Sequence, residues 1–127
     1  EYVKLCNWVE IRGYFMIFVI LVLYGIVAGF FISKRKMKIS QAVIPMIAFA
    51  ILSCVALGHN HTVSLISEAN DGIGISNFLA KLLLPAEGWT KELFLSKFEL
   101  YLVISIVLII LYLLFVLVEK VKSDVKE

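Results

Sequence analysis

Between Gly13 and Ser33 the chain carries no charged side chain, and Lys34-Arg35-Lys36-Met37-Lys38 follows directly. An uncharged apolar run of about 20 residues is long enough to cross the hydrocarbon core of a bilayer as a helix. Lipid offers no partners for free N–H and C=O groups, so a lone segment that crosses must be helical. A basic cluster at the end of such a run marks its cytoplasmic side.

Two further runs resemble the first. Tyr14–Ile32, Ala42–Leu57 and Leu100–Val118 contain no Asp, Glu, Lys, Arg or His. The middle run has 16 residues, roughly 24 Å as a helix, and Ile39, Ser40 and Gln41 extend it. Hydrophobic residues make up 61% of the chain and the mean hydropathy is +0.97, beyond the range of a water-soluble domain. The fold expected is an all-α integral membrane protein. It is one membrane domain over 1–127, with three transmembrane helices at about 14–33, 40–57 and 99–118. Residues 58–98 form a structured, partly helical outer loop.

The positions of the basic residues orient this arrangement. Lys34, Arg35, Lys36 and Lys38, with Lys120, Lys122 and Lys126, account for seven of twelve basic residues and lie in two short segments. With three spans, both segments fall on one face. The N-terminus and the loop 58–98 are then outside and the C-terminus is cytoplasmic, in a plasma (inner) membrane. A cleaved signal peptide would deliver such an N-terminus. The net charge of +2 gives no patch suited to nucleic acid.

Within the loop, Thr62–Asn70 suggests a short helix ended at Gly72. Ile75, Phe78, Leu79, Leu82 and Leu83 form a stripe at helical spacing, closed by Pro85. This predicts a short amphipathic helix lying in the membrane interface with its apolar face down. Packing against the outer ends of the spans is the other reading. Thr90 is a candidate N-cap for one long helix from Lys91 to Val118. Trp89, Phe94, Phe98 and Tyr101, and Trp8 and Tyr14 of the first span, suit the aromatic belt.

Four groups of residues are candidates for function. Gly25 and Gly29 form a Gly-x-x-x-Gly pair, which allows close approach of another helix. That helix is either the second span, with Ala48, Ala50 and Ser53, or one from another chain. Gly58-His59-Asn60-His61 follows the second run. His59 and His61 are weak candidates for a metal, because residues two apart project together only from an extended segment or turn. Glu68 and Asp71 are the acids in reach of such a site. Cys6 and Cys54 are the only cysteines, and both fall toward the outer side, where a disulfide can form. Pro45 sits near the start of the second span, where it costs little in the first turn and kinks the helix further in.

The absence of ionisable residues from the runs bears on function, since proton relays and ion paths through a bilayer use such groups. No nucleophile constellation or phosphate loop appears in the sequence, so no enzyme activity and no cofactor are expected. The chain reads as a small non-catalytic accessory, assembly or regulatory subunit of a larger membrane complex. Its expected partners are the lipid bilayer and other membrane subunits or copies of itself. The alternative is a self-associating channel, holin-like protein or small transporter, and after that a metal- or haem-binding enzyme subunit.

Overall fold

A computed structural model gives the architecture. It describes residues 2–34, 37–66, 74–85 and 88–125, with the side chains of the first helix described at 15 and from 17 onward. Four helices follow one another: α1 (Tyr2–Ser33), α2 (Ile39–Leu65), α3 (Phe78–Leu83) and α4 (Lys91–Asp124). No strand occurs among the described residues. Helices α2 and α4 are each long and apolar enough to cross a membrane. Within the described residues of α1 the apolar stretch is Ile17–Ser33.

α2 and α4 form the main helix pair, with α3 seated on α2 and α1 leaning on α3. The pair is antiparallel, since Ser40 meets Glu119 and Gly58 meets Phe98. On α2 the buried stripe runs through Ser40, Val43, Ala50, Ser53, Leu57, Asn60 and Ser64. Most of these are small, which lets the two helix backbones come close. The hydroxyls are satisfied locally. Ser53 donates to the Phe49 carbonyl at 2.8 Å and Ser105 to the Tyr101 carbonyl at 2.7 Å. These two serines therefore act in the pair as small residues.

Pro45 is the seventh residue of α2, past the first turn in which proline is free of cost. Its ring has no N–H to give the Gln41 carbonyl. The next carbonyl, of Ala42, accepts a hydrogen bond from the Tyr24 hydroxyl of α1. The α1 donor thus falls one residue along from the carbonyl that Pro45 leaves without its helical partner.

At the Phe94 end, Leu57, Ala80, Leu83, Leu84 and Phe94 are buried together. Ile17, Ile75, Leu79, Trp89, Phe98 and Tyr101 pack around them. Two caps set this region. The Asn77 side chain accepts from the Ala80 N–H at 2.8 Å to start α3, and Thr90 accepts from Leu93 at 3.0 Å to start α4. Between them Gly88 has a φ of 77°, a left-handed conformation that favours glycine. The Trp89 indole N–H donates to the Pro85 carbonyl at 2.8 Å.

Three sequence expectations are corrected here. α2 outlasts its apolar run and continues to Leu65, so the segment after residue 57 begins as helix. The short helix expected over Thr62–Asn70 is the last turn of α2 as far as Leu65, and residues 67–70 lie outside the described set. The α3 helix packs on α2 and the core cluster through Ala80, Leu83 and Leu84, not through the whole stripe counted from Ile75. Ala80 is fully buried, whereas Phe78, counted on the apolar stripe, is 81% exposed.

Candidate helix-packing interface

Gly25 and Gly29 lie on an open side of α1. A Cβ added at either would meet nothing within 4 Å. Counting 100° per residue, Ile17, Tyr24 and Ala28 share the side of α1 that faces the rest of the protein. Ile17 packs on the core cluster, Tyr24 reaches the Ala42 carbonyl, and Ala28 is buried. Gly25 and Gly29 lie about 100° further round, with exposed Phe18 and Val22. Packing of the glycine pair against Ala48, Ala50 and Ser53 of α2 does not occur.

The glycine used inside the chain is Gly58. A Cβ there would lie 3.0 Å from the Phe98 ring, closer than atoms pack without displacement. The aromatic ring occupies the space that glycine leaves, which joins α2 to α4 near the core cluster. Sequence reading missed this contact because Gly58 stands next to His59-Asn60-His61 and appears to open a loop. The available signal was its position one helical turn after Cys54 and Val55.

The polar tetrad is helical. His59 and His61 are two residues apart on α2, about 200° around its axis, so they cannot bind one metal ion together. The His59 Nδ1 lies 3.2 Å from the Ser76 hydroxyl, and the His61 Nδ1 is buried without a partner. Among the described residues no group of three His, Cys, Asp or Glu side chains is placed to hold a metal. Glu68 and Asp71 lie outside the described residues. Asn60 does the structural work of the tetrad. It is fully buried, and its Oδ1 accepts from the Ser76 N–H at 2.7 Å and the Ser76 hydroxyl at 3.1 Å. Asn77 adds a second tie by donating to the Ala56 carbonyl at 2.9 Å. Cys54 is a free, buried thiol. The side chain of Cys6 lies outside the described residues, and with it the Cys6–Cys54 pairing.

At the opposite end, Arg35 and Lys36 lie outside the described residues. Lys34 places its ammonium 5.6 Å from the Phe30 ring centre, within cation–π range. Lys38 is the N-cap of α2, and its N–H donates to Gln41 Oε1 at 3.0 Å. The next free donors of α2 are met from α4. Glu119 Oε1 accepts from the Ser40 N–H at 3.0 Å, and Oε2 accepts from the Ser40 hydroxyl at 2.6 Å. A carboxylate suits a helix N-terminus, where free N–H groups and the helix dipole both favour negative charge. Glu119 lies beyond the apolar run, which ends at Val118. The Ser40 hydroxyl first, then the Ser40 N–H and the charge of Lys38, hold its carboxyl below the usual range. Sequence reading passed over Glu119, whose signal is that it is the first charge after the apolar run and an acid among lysines.

No protein family, curated protein or solved structure matches this chain. The fold and surface define its class: an all-helical chain with two helices long and apolar enough to cross a membrane.

Proposed function

We propose that this chain is a three-span membrane protein whose role is to dock, through the Gly25/Gly29 side of α1, onto another subunit of a larger membrane complex. It acts there as a non-catalytic accessory, assembly or regulatory component. The observation that carries this reading is the contrast between its glycines. The Gly58 notch is filled by Phe98, whereas the Gly25/Gly29 notch is open. Both are sites for close helix approach, and only one is used inside the chain.

The uncovered apolar surface supports a bilayer as the solvent. Only 6% of the most apolar stretch of α4 is buried. A water-soluble protein rarely leaves apolar patches beyond a few hundred Å² exposed. Together with the apolar part of α1, this supports three spans at about 14–33, 40–57 and 99–118. The lysines at the Lys38 end support placing that end in the cytoplasm.

The test is purification from the native membrane in mild detergent, comparing the parent with a Gly25→Ile/Gly29→Ile variant. The parent is expected to bring a different membrane polypeptide with it, and the variant to lose that polypeptide while keeping its helical content. Recovery of the parent as a monomer overturns the proposal. Recovery only as copies of itself replaces it with the self-associating channel or transporter reading.

A further inference from the structure

We propose that the Lys38 end of the α2–α4 pair binds anionic phospholipid headgroups. The inference rests on the reading that these helices cross a bilayer.

Antiparallel packing brings the start of α2 beside the end of α4, and the Ser40–Glu119 contact fixes that meeting. It gathers Lys34 and Lys38 with Lys120 and Lys122, all exposed. The acids described at this end are Glu119 and Asp124. Both oxygens of Glu119 are taken up by Ser40. None of these four lysines makes an ion pair with a described residue. Asp124 lies about 200° round the helix from Lys122, but one turn from Lys120 on the same side, without an ion pair between them. Glu119 stays charged and acts on Lys38, yet four lysines against two acids leave this end positive.

The apolar surface next to these cations selects the source of the phosphate. Ile39, Val118 and Val121 are exposed on the same turns as Lys38, Lys120 and Lys122. An ammonium above an exposed apolar helix surface matches a phospholipid, with its phosphate at the lysine and its acyl chain along the helix. A soluble phosphate would make no use of that lower surface.

The full chain is reconstituted into phosphatidylcholine bilayers containing trace spin-labelled phosphatidylglycerol or spin-labelled phosphatidylcholine. Electron paramagnetic resonance then reads the fraction of each label immobilised at the protein. A lysine near the surface favours an anionic lipid by up to roughly fivefold. Averaged over every lipid touching the helices, the parent is expected to favour phosphatidylglycerol by about threefold. Lys34→Gln/Lys38→Gln/Lys120→Gln/Lys122→Gln is expected to remove most of the preference. Lys81→Gln/Lys91→Gln/Lys97→Gln, at the other end, is expected to keep it. Equal immobilisation of both labels by the parent overturns the proposal, as does an undiminished preference in the fourfold variant. Loss of the preference on adding inorganic phosphate at constant ionic strength overturns the assignment to lipid. Immobilisation of neither label overturns the membrane reading itself, and the proposal with it.

Discussion

Replacing Gly58 with leucine puts a side chain where the Phe98 ring already sits. The first added carbon alone would lie 3.0 Å from one ring carbon and 3.1 Å from the next. Carbon atoms pack at about 3.5–4.0 Å, so the ring or the helix must yield before the rest of the leucine is accommodated. The ring borders the core cluster of Leu57, Leu83 and Phe94, which limits its retreat. Overpacking of this kind costs about 1–3 kcal/mol. Relief of glycine in a helix interior returns about 0.5–1 kcal/mol. The net expectation for Gly58→Leu is destabilisation by up to about 2.5 kcal/mol. The same substitution at Gly25 or Gly29 meets open space and should leave the isolated chain as stable or more stable, by up to about 1 kcal/mol. Reversible unfolding of the purified chain in mixed micelles, followed by circular dichroism, measures all three. Adding Phe98→Ala to Gly58→Leu should restore part of the loss, with a coupling of about 0.5–3 kcal/mol. Equal effects at Gly58 and Gly25, or no coupling with Phe98, would refute the reasoning.

Glu119→Ala should destabilise the α2–α4 pair by about 1 kcal/mol, the usual worth of an N-cap, with Glu119→Gln falling between it and the parent in the same unfolding assay. Because the folded protein holds this carboxyl below its ordinary value, its contribution is present above the unfolded value, about pH 4.3. It is lost as the pH falls through the folded one. Parent stability should therefore drop on acidification by more than that of Glu119→Gln, and parallel pH profiles would contradict this. Asn77→Ala removes both the α3 cap and the tie to the Ala56 carbonyl. It should cost about 1 kcal/mol and speed amide hydrogen exchange over residues 78–83.

The helical class and the start of α4 are legible in the sequence because each rests on local chemistry. Long uncharged runs require helix, and Thr90 caps a helix with no breaker behind it. The face of α3 is not legible, and its misreading has an identifiable cause. Helix begins only at Phe78, after the extended Asn77 cap, so Ile75 does not share its period. Small Ala80, off the apolar stripe, is buried with Leu83 and Leu84, while Phe78 on the stripe is exposed. The end of α2 is hidden for a related reason. Three polar residues after Gly58 read as a loop, whereas Asn60 is held in the helix interior by Ser76, sixteen positions away. Glu119 escapes notice because its partner is 79 positions distant and only the antiparallel packing reveals it. The Gly25/Gly29 pair was visible as a motif. That α1 turns it away from α2 is set by Ile17, Tyr24 and Ala28, which engage the rest of the chain first.

The central claim is that this open side of α1 is covered by another polypeptide. The most direct measurement places a photo-reactive amino acid at Val22, beside the glycines, and separately at Val27, which is exposed on another side of α1. Irradiation in the native membrane is expected to join position 22 to a partner chain and position 27 chiefly to lipid. Lipid adducts alone at both positions would contradict the account.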